Sequence, residues 1–333
     1  MENSTQEIVI SCLCGKHQHT WALPASIKAL SYGICHCNSC RKSSGGSLYQ
    51  GSIEWPFSLI RVSGTDQIPD GPKTFLQQYE FGSSLHVWFC ETCSTKLYWQ
   101  YLKDAPKFEL FPGLLPETLV ESGQISLSCN LQIHIADTLD EGLSSCFFGL
   151  DGEIGLRYQG GRDSPSYIAQ ERHKAPPALP AIVEGECHCG QSTLKLSSRS
   201  GAKFPVELDT SKESQLLNST HISAWALVSP EDIISVNNMP LHILEKLKSN
   251  TKDGVIGPLG VYTTDKTVIF FCNKCSASVL TQPLQSTKTS VLKVGASLLN
   301  SQAGARKEDI LDWSEVQPVV LEHHNIRLDP RNF

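Results

Sequence analysis

The sequence predicts a mainly β protein made of two similar halves. Two observations carry this. "SCLCG" at Ser11–Gly15 returns as "ECHCG" at Glu186–Gly190, and "FCETCS" at Phe89–Ser94 returns as "FCNKCS" at Phe271–Ser276, so paired motifs recur in the same order, the mark of an internal repeat. Between them lie β-branched and aromatic runs, "HTWALP", "SSLHVWFC", "TKLYWQYL" and "TVIFFC", bounded by Gly, Pro, Ser and Asp; such runs read as strands. Few stretches hold a 3.6-residue period, and Leu241–Lys248, "LHILEKLK", is the best helical candidate.

In chain order, each half opens on C-x-C-G and reaches its F-C-x-x-C-S after a series of strands. Two such knuckles supply four thiolates, a complete tetrahedral zinc site tying two distant loops together. The first half carries an extra stretch, "GICHCNSCRKSSGG" at Gly33–Gly46. Its three cysteines are one short of a closed site, so either a fourth ligand comes from elsewhere or the position is left for chemistry. The repeats are joined by "GGRDSPSYIAQERHKAPPALPAIVEG" (Gly160–Gly185), where four prolines follow two glycines, as in a linker. A length of 333 residues suits two domains. The divisions expected are 1–160, a linker at 161–181, and 182–333.

Hydrophobic residues make up 40% of the chain and charged residues 19%, the balance of a folded protein. The net charge is -6 and no Lys/Arg-rich run is present, which argues against a nucleic-acid partner. The N-terminal "MENSTQEIVISCLCG" lacks a basic segment followed by an apolar one, and no stretch is long and apolar enough to span a bilayer. The expectation is a cytoplasmic protein without a membrane partner.

Eleven of the 13 cysteines fall in C-x-C, C-x-x-C or C-x-C-x-x-C groups, a clustering that suits a metal better than a disulfide framework. Cys129 and Cys146 stand alone in apolar surroundings and read as small buried hydrophobes.

The order C-x-C-G, C-H-C-x-x-C-R-K, F-C-x-x-C resembles the glutathione-dependent formaldehyde-activating enzyme family, which also includes centromere protein V. The resemblance covers most of residues 8 to 160, including Leu131–Leu143, which looks like the family's closing strand. It implies two tandem zinc-stabilised β-tent domains, with the structural zinc of the first on Cys12, Cys14, Cys90 and Cys93 and a catalytic zinc on Cys35, Cys37 and Cys40. Two positions depart from the family pattern: its usual Gly after the second F-C-x-x-C cysteine is Ser94, and a basic residue three before the first is Val87. These bear on the substrate more than on the metal.

The second half resembles the same family with its active site erased. "DTSKESQLLNSTHISAWALVSP" from Asp209 lies without a gap on "CHCNSCRKSSGGSLYQGSIEWP" from Cys35, ending with Pro230 on Pro56. The three cysteines become Asp209, Ser211 and Ser214, and Arg41 and Lys42 become Gln215 and Leu216. A carboxylate and two hydroxyls make a poor soft-metal site. The second half is expected to keep only a structural zinc, on Cys187, Cys189, Cys272 and Cys275, for a total of three zinc ions per chain.

A zinc with three protein ligands keeps a place for water or substrate. Three thiolates already outweigh its charge, so it suits the binding of an incoming thiol better than strong Lewis-acid work. A ligating thiol loses its proton, and the thiolate can add to an aldehyde or leave a thiohemiacetal carbon. The leading expectation is a zinc-dependent carbon-sulfur lyase or synthase acting on a small-molecule thiol adduct, with glutathione as the thiol that the resemblance implies. Cys35, Cys37, Cys40 and Arg41 are its catalytic set. Arg41 and Lys42 are placed to pair with a substrate carboxylate, or else to compensate the thiolate charge; Ser43, Ser44 and Gly45 offer backbone N–H groups to an anion, or else form a plain turn. His36 is expected to point away from the metal, and His323 and His324 are given no site. Two alternatives stand beside this reading: a tailoring enzyme of a biosynthetic pathway using the same zinc on a larger metabolite, and a non-catalytic zinc module that binds a macromolecule.

Overall fold

The computed structural model describes residues 5–54, 58–62, 76–103, 107–169, 178–242, 254–284 and 291–332. Of the helical candidate Leu241–Lys248, all but the first two residues lie outside this set, as do Pro56 and residues 170–177 of the linker.

The architecture is mainly β. The first half contributes β1 (Thr5–Ser11), β2 (Gln18–Pro24), β3 (Ala29–Cys35), helix α1 (Asn38–Ser44), β4 (Gln50–Glu54), β5 (Ser58–Val62), β6 (Gln77–Gly82), β7 (Leu85–Phe89), β8 (Lys96–Tyr101), β9 (Lys107–Leu110), helix α2 (Glu117–Glu121), β10 (Ser126–Ile133) and β11 (Leu156–Arg157). They form a small sheet, β1-β2-β5, and a large one, β11-β10-β3-β4-β9-β8-β7-β6. The second half follows with β12 (Val183–Glu186), β13 (Thr193–Leu196), β14 (Phe204–Asp209), helix α3 (Lys212–Asn218), β15 (Ser223–Val228), β16 (Ile233–Val236), β17 (Gly254–Ile256), β18 (Leu259–Thr263), β19 (Thr267–Cys272), β20 (Ser278–Pro283), β21 (Leu292–Gly295) and β22 (Leu311–Asp312). Its sheets run β12-β13-β16 and β22-β14-β15-β21-β20-β19-β18-β17. Strand for strand, β14, β15, β21, β20, β19 and β18 stand where β3, β4, β9, β8, β7 and β6 stand. A hairpin of β23 (Val319–Leu321) and β24 (Ile326–Leu328) closes the chain around a 3-10 turn at Glu322–His324, so His323 and His324 are not on a strand.

Burial explains the local patterns. In β1, Ile8 and Ile10 are buried between exposed Glu7 and Val9, the alternation of a one-sided strand. β8 is buried along most of its length: Tyr98 packs against His19 and Trp21 of the small sheet, while Trp99 packs against Phe81 and Phe111. One apolar core runs through both halves.

The halves join reciprocally. α1 packs on the 3-10 turn Ala296–Leu298 of the second half, and α3 on the equivalent turn Pro112–Leu114 of the first. Ser297 N–H donates to Gly45 O at 3.0 Å, and in the counterpart contact Gly113 N–H donates to Ser219 O at 3.4 Å. The approach is close: a Cβ on Gly45 would lie 2.0 Å from Ser278 O, and Gly45 has φ +83. Glycine is what the seam needs there.

The gap-free overlay of Asp209–Pro230 on Cys35–Pro56 holds through the helices and then slips by one residue. Cys35 lies opposite Gln50, but Asp209 lies opposite Ser223, not Ala224. The segment between α3 and β15 is one residue shorter, so Ser223 takes the place of Gln50 and Trp225 that of Ser52.

Candidate metal centres and active site

Three groups of cysteines can hold a metal ion among the described residues. In each, the Sγ atoms lie within 4.8 Å of one another, and all 13 cysteines are unpaired thiols. Cys12, Cys14, Cys90 and Cys93 form the first group and Cys187, Cys189, Cys272 and Cys275 the second. The Cys12–Cys14 and Cys14–Cys90 sulfurs are 3.5 and 3.7 Å apart, and the Cys187–Cys189 and Cys189–Cys272 sulfurs 3.4 and 3.5 Å. A tetrahedral zinc with bonds of about 2.3 Å places its sulfurs roughly 3.8 Å apart, so both sets fit that ion. Backbone N–H groups orient them alike: His17 donates to Cys12 Sγ and Ser192 to Cys187 Sγ, both at 3.3 Å. Cys129 and Cys146 are buried outside these groups, and burial pushes both thiols up to about 12.

The third group is Cys35, Cys37 and Cys40. Cys35 ends β3, and Cys37 caps α1 by accepting the Cys40 N–H on its sulfur at 3.3 Å. Hydrogen bonds from Cys35 and then Cys40 hold the Cys37 thiol far below its usual range. Cys35 and Cys37 are half-buried, whereas Cys40 is buried. In the second half, Ser211 caps α3 in the same way, accepting the Ser214 N–H at 3.3 Å. Serine is a strong N-cap, so the local fold outlasts the loss of the sulfurs.

Directly paired residues on neighbouring strands put their side chains on one face. Cys35 pairs with Gln50; alternation along β4 adds Ser52 and Glu54; Glu54 pairs with Glu109, Glu109 with Trp99, Trp99 with Val87, and Val87 with Tyr79. These side chains line one face of the large sheet, called the trough below, running from the triad toward β6. Ser52 Oγ and Tyr101 OH donate to Glu109 Oε2 at 2.6 and 3.2 Å. The second half supplies part of its wall. His188, between two cysteines of the second four-cysteine group, shares a 2.6 Å hydrogen bond with Tyr79 OH and stacks on Phe81 at 4.3 Å.

The same trough in the second half is filled. Trp225, Leu217, Ile269 and Phe271 form a buried cluster with Leu13 and Tyr262 packed against it; Leu13 is the knuckle residue that corresponds to His188. Lys293, paired with Leu227 as Glu109 is with Glu54, makes ion pairs with Glu207 at 2.6 Å and Asp209 at 3.5 Å. A cation occupies the neighbourhood where a metal would have to sit. Among the described residues, no metal-capable group is found around Asp209, Ser211 and Ser214.

The remaining candidates divide. Arg41 is only 5% exposed; its Nη2 donates to Asp137 O at 3.4 Å, and its Nε and Nη1 have no partner. Burial opposes its charge, while Asp140, Cys37, Asp137 and Cys35 favour it. Lys42 reaches across the seam to Glu186 and Asn300, both at 2.8 Å. Ser43 Oγ donates to Cys40 O, Ser44 Oγ accepts from the Ser47 N–H, and Gly45 is packed in the seam. Lys42, Ser43, Ser44 and Gly45 are thus engaged within the chain. His36 is fully buried and turns to Gln132, 2.9 Å away.

Residues 7–124 match the family model described as glutathione-dependent formaldehyde-activating enzyme. Over this stretch, 118 of the 333 residues, the chain is similar to that family. No curated protein and no solved structure matches it. The family match contains the triad, the first four-cysteine group and the trough strands β3, β4 and β6 to β9. It stops before β10, which nonetheless pairs parallel to β3 in the same sheet. Within the family stretch, Ser94 stands at φ 62 and its counterpart Ser276 at φ 59, the left-handed conformation that explains a glycine at this position. Val87 lies on the trough face, so the position of the family's basic residue looks into the site. Gln50, Glu109, Tyr101 and His188 escaped the sequence reading, since only strand register brings them beside the triad. None of the described helices is long and apolar enough to cross a membrane.

Proposed function

We propose that the first half is a zinc-dependent enzyme that makes or breaks a carbon-sulfur bond in a thiol adduct, glutathione-type adducts being the family's reference, with Cys35, Cys37 and Cys40 as the ligands and Arg41 beside them. The observation that supports it is the contrast between halves. At one position of the same fold, three thiols meet a sheet face carrying Gln50, Ser52 and Glu109; at the other, Trp225 and the Lys293–Asp209 pair fill the space. Zinc held by three thiolates keeps one position for a substrate thiol and lowers that thiol's pKa. Arg41 balances the clustered thiolate charge from beneath and offers Nε–H and Nη1–H to an anionic group. Lys42 fastens the second half's knuckle over the site. The whole chain is proposed to carry three zinc ions and to work on small molecules.

A second reading, in which the same zinc acts on a larger metabolite, is favoured by His188, because the trough wall is then shared by both halves. Turnover of hemithioacetals built from glutathione and from smaller and larger thiols separates the two readings. If zinc-loaded protein turns over none of them, and no thiol perturbs a spectroscopic metal placed in the triad, the enzyme reading is wrong.

A further inference from the structure

Gln50 is 3% exposed, and neither its Nε2 nor its Oε1 has a hydrogen-bond partner. A buried amide with both ends unsatisfied is costly. It is also well aimed. Gln50 lies directly opposite Cys35 across the β3–β4 pair, so the two side chains project from one face with Cβ atoms about 5 Å apart. In the second half, where the cysteines are gone, its place is taken by Ser223, whose Oγ accepts from Asn218 Nδ2 at 2.8 Å. The orphan amide exists only where the triad exists.

We propose that Gln50 binds substrate: its amide receives a group that both donates and accepts a hydrogen bond, a hydroxyl or an amide, carried on the thiol close to its sulfur. This rests on the thiol-binding reading of the triad. The reach from Cys35 to Gln50 suits a polar group a few bonds from the sulfur; a purely apolar thiol would leave the amide unsatisfied.

Cobalt(II) placed in the triad reports an added thiol through a sulfur-to-metal absorption band. Ethanethiol, 2-mercaptoethanol and N-acetylcysteamine serve as probes lacking a polar group, carrying a hydroxyl, or carrying an amide. Wild-type protein should bind at least one of the polar thiols roughly tenfold tighter than ethanethiol, the scale of one hydrogen bond. Gln50→Met should abolish that preference without weakening ethanethiol, and the hydroxyl and amide arms tell which group is read. The variant should also melt higher, because it removes two unpartnered buried polar atoms. A preference that survives in Gln50→Met overturns the proposal while leaving the enzyme reading intact. Failure of all three thiols to perturb wild-type cobalt sinks both. A lower melting temperature would mean that the amide is satisfied within the chain, and a changed cobalt spectrum before any thiol is added would make Gln50 a metal ligand; either result overturns the proposal.

Discussion

Lys293 Nζ lies 3.5 Å from Asp209 Oδ2, and the two residues stand where Glu109 and Cys35 stand in the first half. An ion pair stands where the first half has a cysteine able to ligate a metal. Fully loaded protein is therefore expected to bind three zinc ions, where a symmetric repeat would bind four. Elemental analysis gives the count, and four would mean that the Asp209 neighbourhood does hold metal. Stepwise chelation should release the triad ion first, together with activity, because two closed shells of four thiolates offer no position for exchange.

Cys40→Ser should abolish activity and leave the fold intact, whereas Cys90→Ser should unfold the first half, since a structural zinc contributes on the order of 10 kcal/mol to folding. Circular dichroism and thermal melts of both variants check this. Equal melting temperatures would make the triad a structural site.

Arg41→Ala is expected to weaken substrate binding by about 1 to 3 kcal/mol with zinc content unchanged, if its free N–H groups hold an anionic group. Lysine should rescue only part of the loss, having no planar fork. Zinc loss with unaltered affinity per loaded site would instead assign Arg41 to charge compensation.

Ser94 stands at φ 62 with its hydroxyl buried and unpartnered. Ser94→Gly should raise stability by about 1 kcal/mol, read in a denaturant titration. Ser276→Gly should gain less, because Ser276 Oγ donates to Cys275 O. The reverse ranking would show that backbone strain is not what sets the effect.

His221 is fully buried against Tyr32 and His324, with ring centroids 4.3 Å from those of His324. Burial holds His221 well below the usual histidine range and His324 down at about 4. Below about pH 6.5 the unfolded chain takes up protons that the folded chain refuses, so stability is complete above that pH and falls as pH drops toward 4. His221→Phe should flatten this acid slope in melts between pH 7 and 4. An unchanged slope would assign the acid sensitivity to other groups.

The fold class was legible because its signals are local: repeated knuckles and β-branched runs bounded by turn residues. The four-cysteine groups were legible for a related reason, since ligand spacing is written along the chain. α1 was not, having only seven residues without an apolar stripe and taking its cap from a cysteine. The one-residue slip before β15 was invisible too, because register is set by pairing across strands and a gap-free overlay costs nothing on paper. Trp225, a member of the buried cluster of the second half, therefore carried no signal of its place there. Lys42 read as a partner for a substrate carboxylate or for the thiolate charge, yet it spans the seam to Glu186 and Asn300.

The matched contacts of Gly45 with Ser297 and of Ser219 with Gly113 are what an isologous dimer makes, each surface meeting its own copy. In such a dimer a substitution alters both sites at once, so neither can lose its metal unless the other does. Carried on one chain, the two positions are free to diverge. One position is filled by Trp225 and its neighbours, while the other keeps its three cysteines beside its neighbour's knuckle.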